Sequence, residues 1–220
     1  AFLLNRSSDL LFFARTWKKT TKEDISDPKY YRAIPSGDKS IGIINREPRV
    51  TNKLMRQFYI QAIDDAQDSI RIINPYFTLV PSIKKALKRA IRRGVKLQII
   101  VSAKSDVPLT PDVVHHNAYK LMQKGAEVWF YLPGYHHSKI MMVDGRFCTV
   151  GSSNLDARSM RFDFEENALI LNCEITKELD DMFDRDTKNS LRMTEEEWKR
   201  FNSRWHKFCG WFGTLLTPWL

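Results

Sequence analysis

Features that would classify this 220-residue sequence quickly are scarce. Its three cysteines lie far apart and form no CxxC pair, so neither a disulfide framework nor a zinc site is indicated, and a reducing compartment fits best. The sequence also lacks any run of about 18 apolar residues, because even its apolar opening stretch is interrupted by Arg6, Asp9 and Arg15. The chain is therefore not predicted to cross a membrane by itself.

Acidic residues are outnumbered by basic ones. The 26 Asp and Glu stand against 35 Lys and Arg, which gives a formal net charge of +9 and an isoelectric point near 9.5. A basic chain favours anionic partners, which include nucleic acid, an anionic membrane face and a phosphorylated substrate. Charge alone does not choose among these three.

The first 40 residues are predicted to be a leading segment outside the main domain. The sequence begins without methionine in what reads as a helix, and residues 18–40 form a polar stretch with two prolines and a glycine, typical of a long connection. We expect residues 1–40 to lead in from an amino-terminal half that is missing here, and residues 41–220 to form one domain with a helical tail.

Apolar periodicity predicts an α/β fold, a mixed β-sheet sandwiched between helices. Helix-like and strand-like segments alternate three times up to residue 132, three strand-like runs follow, and the tail returns to helix. The predicted helices cover 51–66, 81–94, 111–125, 176–190 and 194–212, and the predicted strands cover 69–77, 95–103, 126–132, 138–145, 146–152 and 166–173.

The stretch GYHHSKIMMVDG, residues 134–145, carries the first functional signal. If it is a strand, His137 and Lys139 point to the same side, and after Gly151 the side chains of Ser152 and Asn154 again share a side. Such a group suits a phosphodiester, because an ammonium and an amide bind the non-bridging oxygens while an imidazole attacks phosphorus or protonates the leaving oxygen. No metal and no cofactor is required by this chemistry.

Two carboxylates complete the candidate site. Glu165 stands just before a predicted buried strand, where it could hold the second nitrogen of the imidazole and fix its tautomer. Asp144 is either a catalytic acid or, because Asp-Gly is a strong turn signal, an anchor for the loop that holds the site.

At these residues the sequence resembles a known family. His137, Lys139 and Asp144 fit the HxKxxxxD (HKD) signature of the phospholipase D superfamily, and Gly151 to Asn154 follow at the family's spacing. The surroundings are most similar to the bacterial cardiolipin synthases, over roughly residues 41–220. The stretches that carry this likeness are NPYF, VGSSNLDARSM, FDFEENALI and the terminal LLTPWL.

The resemblance implies a phosphatidyltransferase that moves a phosphatidyl group between two phosphatidylglycerol molecules through a phosphohistidine intermediate. Its catalytic residues would be His137, Lys139, Asp144 and Glu165, with the phosphate bound by Lys139, Ser152 and Asn154. The family needs two HKD motifs, but this chain has one, because no Lys follows His115, His116 or His206 two residues later. The second motif would come from a missing amino-terminal half, which we favour, or from a second copy of the chain.

Other functions remain open at this point. A phosphodiesterase or nuclease of the same superfamily would use water as acceptor, although the resemblance makes a nucleic-acid partner the weaker choice, and a catalytically inactive lipid-binding domain would keep only the fold. For the transferase the expected partners are anionic phospholipid and a membrane surface. The expected location is the cytoplasmic face of a bacterial inner membrane.

Two surface features admit two interpretations each. The basic residues between Lys84 and Arg93 form a helix stripe that is either a lipid-binding surface or a solvated outer face. The aromatic residues between Trp198 and Phe212 recur at helical spacing, which favours a helix packed on its own domain, whereas Trp219 in the last turn could anchor at a membrane interface.

Overall fold

The computed structural model describes residues 6–31, 37–48, 50–51, 53–107 and 110–215. Within these ranges, eight strands form one mixed sheet and helices cover it, so the predicted α/β fold is confirmed. No helix among the described residues is long and apolar enough to span a bilayer. The last five residues, including Trp219, lie outside the described part of the chain.

The elements follow one another with short connections. The strands are β1 (Ile41–Arg46), β2 (Ser69–Ile73), β3 (Lys96–Ser102), β4 (Glu127–Tyr131), β5 (Ile140–Val143), β6 (Phe147–Gly151), β7 (Glu165–Leu171) and β8 (Ser190–Arg192). The helices are α1 (Arg6–Thr21), α2 (Leu54–Asp65), α3 (Pro81–Arg92), α4 (Thr110–Met122), α5 (Ala157–Arg161), α6 (Cys173–Lys188), α7 (Glu195–Phe201) and α8 (Arg204–Leu215), with one 3₁₀ turn at Pro28–Tyr31.

Strand direction brings several chain ends to one edge of the sheet. The strand order is β1-β7-β6-β5-β2-β3-β4-β8, in which β2, β3 and β4 are parallel and every other neighbouring pair is antiparallel. The parallel strands are joined by the helical crossovers α3 and α4, as parallel pairing requires. As a result, one end of the sheet, where the strands begin or finish, holds the carboxyl ends of β1, β2, β3 and β6 and the amino ends of β5 and β7. This end of the sheet is here named the site edge.

Two apolar cores hold the layers together, one on each face of the sheet. The larger core packs α2, α3 and α4 against the sheet, with Ile83 and Leu87 of α3 fully buried. The smaller core lies under α6 and centres on Phe183 and Ile100. Because helices cover both faces, the central strand β3 is buried on both sides, as its run of apolar residues predicts.

The structure differs from the sequence prediction near both ends of the chain. Strand β1 was not predicted, and it forms because it pairs with β7, a partner more than a hundred residues away. The single helix predicted over 194–212 is broken into α7 and α8, because the backbone of Asn202 is extended and the hydroxyl of Ser203 accepts a hydrogen bond from His206 N–H at 3.2 Å.

The prediction that the tail aromatics pack onto the domain is wrong for α8. Trp198 in α7 is buried and stacks on Tyr119 with 4.2 Å between ring centroids. The aromatic residues of α8 are exposed instead, because its small residues Gly210 and Gly213 form the buried face.

Candidate active site

The loop before β5 carries the imidazole and the ammonium. His137 and Lys139 precede Ile140, the first residue of the strand, so the prediction that both lie on a strand is wrong. The side chain of Lys139 is 7% exposed and turns back so that its Nζ donates to the carbonyl oxygen of His137 at 2.8 Å. The carbonyl of Lys139 accepts from Gly151 N–H at 3.3 Å, which ties the loop to the end of β6.

The imidazole of His137 is exposed and bordered by two tyrosines. Its ring lies edge-on to Tyr76, with 6.2 Å between centroids, and 5.2 Å from the ring of Tyr135. Partial desolvation, followed by the nearby charge of Lys139, lowers the pKa of His137 below its usual value. Neutral imidazole therefore predominates at pH 7, and this is the form with a lone pair free to attack phosphorus or accept a proton.

Ser152 and Glu165 face each other across the end of β6 and the start of β7. The Ser152 hydroxyl donates a short hydrogen bond to Glu165 Oε2, and its backbone N–H donates to the carbonyl of Glu166 at 2.9 Å. Glu165 is 8% exposed. No hydrogen bond among the described residues joins Glu165 to the ring of His137. The predicted orientation of the imidazole by Glu165 is therefore not observed, because the Glu165 carboxylate binds the Ser152 hydroxyl instead.

Asn154 borders an open cleft of about 360 Å³ beside the imidazole. Its backbone N–H donates to the Ser159 hydroxyl at 3.1 Å, while its side-chain Oδ1 is buried and has no hydrogen-bond partner among the residues described. The other residues that line the cleft include Tyr76, Thr78, Thr110, Asp156 and Arg158.

Asp144 does not join this cluster. It follows β5 at the far end of the strand, so the four residues of β5, at about 3.3 Å each, place it about 13 Å or more from the loop that carries His137 and Lys139. Its carboxylate accepts three backbone hydrogen bonds, from Gln67 at 2.9 Å and from Asp68 and Ser69 at 2.8 Å. The catalytic interpretation of Asp144 is therefore corrected: the side chain anchors the turn between β5 and β6 to the start of β2.

A buried polar network, which the sequence did not reveal, positions the loop after β6. Asn167 on β7 donates to the hydroxyls of Tyr59 at 3.1 Å and Thr149 at 3.0 Å, and its Oδ1 accepts from Ser153 N–H at 3.2 Å. A side chain at Gly151 would overlap the Glu166 carbonyl and the Asn167 amide. The close strand approach at Gly151 thus allows Ser152 to reach Glu165.

Two buried charged residues beside the site were also missed. Asp156 is 7% exposed and caps α5 by accepting from Ser159 N–H at 2.7 Å, and burial raises its pKa to about 6. Arg46, at the end of β1 and opposite Glu165 in the strand register, is 2% exposed. Its Nη1 donates to the Asp163 carbonyl at 2.6 Å, whereas its Nε and Nη2 find no hydrogen-bond partner in the part of the chain that the structure describes.

The remaining histidines lie outside the cluster, as expected. His136 turns away from His137 and lies 2.9 Å from Asp186 of α6. His115 is buried and stacks on Phe130 at 4.2 Å, so it is a core residue. Among the described residues, no group of three or more His, Cys, Asp or Glu is arranged to hold a metal ion.

The basic stripe on α3 is partly used within the fold. Arg89 and Arg93 both pair with Asp64 on α2, at 2.6 and 3.8 Å, and Lys84 Nζ donates to Asn117 on α4 at 2.7 Å. These three side chains therefore serve packing between helices, which favours the interpretation of this helix as a solvated layer helix.

A mixed sheet of this kind with the HKD loop at its edge defines a phospholipase D-like domain. Two solved structures share the fold. Nuc of Salmonella typhimurium, a phospholipase D family member, matches with a TM-score of 0.61 and 19% identity over 72% of this chain and 100% of Nuc. Phosphatidylserine synthase of Haemophilus influenzae matches with a TM-score of 0.64 and 14% identity over 82% of this chain and 48% of that one.

Sequence comparison places the chain in a narrower family than the fold alone defines. Residues 59–187 match the family model "Cardiolipin synthase, PLD-like domain", and the chain belongs to this family. A cardiolipin synthase of Oceanobacillus iheyensis is 32% identical over 185 residues, which cover 84% of this chain and 39% of that protein. The chain thus spans about two fifths of the length of the curated relatives it matches.

Proposed function

We propose that this chain supplies one HKD half of a phosphatidyltransferase of the cardiolipin synthase type. The enzyme would transfer a phosphatidyl group from one phosphatidylglycerol to another and release glycerol. Catalysis would need a second HKD motif, which comes from an amino-terminal half of a longer protein or from a second copy of the chain.

The observation that carries the proposal is the convergence at the site edge. Five polar side chains that lie up to 28 positions apart in sequence come to this one end of the sheet, and each belongs to a type that phosphoryl transfer uses: His137, Lys139, Ser152, Asn154 and Glu165. Asn154 lines the open cleft, and the ring of Tyr76, which contacts the His137 ring, lines it too. Lys139 supplies a positive charge, and the buried Oδ1 of Asn154, which has no donor among the described residues, could accept a hydrogen bond from a hydroxyl of the substrate.

The first chemical step would place the phosphodiester between two imidazoles. One imidazole attacks phosphorus, so that a P–N bond forms as the P–O bond to the glycerol headgroup breaks. The other imidazole, in its protonated form, gives its proton to the departing oxygen and releases glycerol. Because the pKa of His137 is lowered, its imidazole keeps a free lone pair. That lone pair could attack phosphorus in this step, or it could take the proton from the acceptor alcohol in the next step.

The second step would reverse these roles with a new alcohol. The neutral imidazole takes the proton from a hydroxyl of the second phosphatidylglycerol, whose oxygen attacks phosphorus while the P–N bond breaks. Cardiolipin leaves, and both imidazoles return to their starting states. If water took the place of the acceptor, the product would be phosphatidic acid, so the choice between transferase and hydrolase depends on which hydroxyl reaches the site.

We place this reaction at the cytoplasmic face of a bacterial inner membrane. The substrate is a lipid, and the net charge of +9 suits an anionic surface. The relatives named above as cardiolipin synthases come from bacteria.

The test is turnover of phosphatidylglycerol vesicles, with lipid products resolved by mass, for this chain and for a two-motif parent chain. His137→Ala should abolish cardiolipin formation, while His116→Ala, a half-buried histidine outside the cluster, should leave it intact. A single turnover with phosphorus-labelled lipid, quenched by denaturant at neutral to alkaline pH because the P–N bond breaks in acid, should trap the labelled phosphohistidine on one of the two motifs.

Each outcome decides between functions. Cardiolipin that disappears with His137→Ala supports the transferase. Phosphatidic acid without cardiolipin would make the enzyme a hydrolase. Absence of product from both chains, in preparations that are folded by circular dichroism, would leave an inactive lipid-binding domain and overturn the proposal.

A further inference from the structure

Helix α8 packs on the rest of the domain through its small residues. A side chain at Gly210 would overlap the carbonyl of Asp112, and one at Gly213 would overlap Val113, so α8 lies directly against the first turns of α4. His206 Nδ1 lies 3.0 Å from Asp112 Oδ1 at the same contact. With the glycine side turned inward, the larger residues of α8 face outward.

The outer face of α8 is a continuous apolar surface. It consists of Trp205, Phe208, Trp211, Phe212 and Leu215, which are between 48% and 68% exposed. Phe208 lies at the centre, with ring centroids of the three other aromatics 5.9 to 6.1 Å away. Monomeric proteins rarely leave so many large apolar side chains together in water, so this face calls for a partner.

The charged side chains of α8 itself are basic. The preceding helix α7 carries Glu195, Glu196 and Glu197 beside its two basic residues, and no Asp or Glu follows residue 197 in the printed sequence. Arg204 is exposed and lies on the apolar side of the helix, while Lys207 is half-buried on its flank; Lys199 and Arg200 are exposed on the preceding helix. Wheel positions at 100° per residue put Arg204 within the aromatic face rather than opposite it.

Helix α8 also lies near the entrance of the site. The helix on which α8 rests, α4, begins at Thr110, and Thr110 lines the cleft together with Tyr76 and Asn154. The first turn of α4, which α8 contacts, is therefore adjacent to the opening through which a phosphodiester would enter.

We propose that the outer face of α8 docks on an anionic phospholipid bilayer and lies in the headgroup region. Trp and Phe with flanking Lys and Arg, on a helix too short to span a bilayer, are the composition of interfacial helices. The basic side chains of α8 are complementary in charge to an anionic headgroup layer. The proposed function guides the choice of lipid, but the docking is measured without turnover.

Sedimentation with vesicles tests the docking. Wild-type chain should co-sediment with vesicles of equal parts phosphatidylglycerol and phosphatidylcholine, should bind pure phosphatidylcholine more weakly, and should be released by high salt. The variant Phe208→Ser with Trp211→Ser should reduce the partition coefficient about tenfold or more, because two aromatic side chains no longer leave water. Arg204→Gln with Lys207→Gln should reduce binding to the anionic vesicles only.

Matched controls lie away from α8, on β7 near the other side edge of the sheet and on α6. Leu171→Ser removes an apolar side chain that is 78% exposed on β7, and Lys177→Gln with Lys188→Gln removes two charges from α6, which covers the opposite face of the sheet from α4. Both controls should bind vesicles as the wild type does. Quenching of tryptophan fluorescence by brominated lipid should fall when Trp205→Phe is combined with Trp211→Phe, and any quenching that remains would come from the other tryptophans, such as Trp219.

Three results would overturn the docking. These are wild-type chain that does not bind anionic vesicles, a serine variant that binds as the wild type does, and a serine variant whose main effect is to dissolve a dimer seen by light scattering. Turnover in detergent micelles without vesicle binding would reject the docking and keep the proposed function. Vesicle binding by a two-motif chain that makes no cardiolipin would keep the docking and reject the proposed function.

Discussion

Replacement of Asp144 distinguishes an anchoring carboxylate from a catalytic one. The side chain accepts hydrogen bonds from three backbone N–H groups within 2.9 Å, and the backbone of Asp144 has a positive φ of 53°. Each bond to a charged acceptor in this partly exposed turn contributes about 1 kcal/mol, so loss of all three in Asp144→Ala costs about 3 kcal/mol. Alanine at a left-handed φ adds about 1 kcal/mol of strain, which gives a total of about 4 kcal/mol.

Asparagine should cost much less at the same position. It tolerates a positive φ, and its amide oxygen can keep the bonds from Asp68 and Ser69, which both reach the same carboxylate oxygen. We expect Asp144→Asn to lose about 1 to 2 kcal/mol. Asp181→Ala is the control, because its exposed pair with Lys177 contributes below about 0.5 kcal/mol.

Urea unfolding followed by circular dichroism measures these differences, and turnover is measured on the folded fraction. Burial of Asp144 favours the neutral carboxyl, but the three N–H donors favour the carboxylate more, so its pKa lies below the usual 3.8. Its stabilising effect is thus present above pH 3.8 and is lost as the pH falls through the folded-state pKa, a loss that Asp144→Ala should not show. A fully folded Asp144→Ala protein without activity, or an equal cost for Ala and Asn, would refute the anchoring role.

Two further predictions concern histidines. Lys139→Met should raise the pKa of His137, since the ammonium lowers it, and imidazole proton shifts in an NMR titration should reveal the change; an unchanged pKa would mean that desolvation alone acts there. Burial lowers the pKa of His115 to about 4. The unfolded chain binds its proton from about pH 6.5, so stability should fall between about pH 6.5 and 4, and more steeply than in His115→Phe. Equal slopes for the two proteins would count against a buried neutral His115.

Much of the fold follows from local patterns in the sequence. Alternating helical and strand-like periods predicted α2 through β4 in the correct order, because each of these segments buries one continuous apolar face. Strand β1 escaped prediction because its six residues become a strand only by pairing with β7. The break between α7 and α8 depends on the extended backbone of Asn202, which helical periodicity does not reveal.

The candidate site was predicted by residue type but only partly by geometry. The HKD spacing selected His137 and Lys139, alternation after Gly151 selected Ser152 and Asn154, and the position before β7 selected Glu165; all five lie at the site edge. For His137 and Lys139 the reason given, alternation along a strand, was wrong. Both residues lie in a loop in which the Lys139 side chain turns back to the carbonyl of His137. No short-range signal could have shown that Asn167 holds the loop after β6, since its partners come from three separate segments.

Helix α8 shows why periodicity alone cannot tell the inner face of a helix from the outer one. Aromatic residues at spacings of three and four define a face, and burial of large apolar groups normally turns such a face inward. Two glycines on the other side permit a closer backbone approach to α4 than any aromatic face could make, and this contact holds the helix with its rings outward. A Gly210→Ala substitution separates the two effects: it should push α8 away from α4 and lower stability while the exposed rings keep their own contacts. Retained vesicle binding in a destabilised Gly210→Ala chain would show that the aromatic face acts on lipid independently of how tightly the helix is packed.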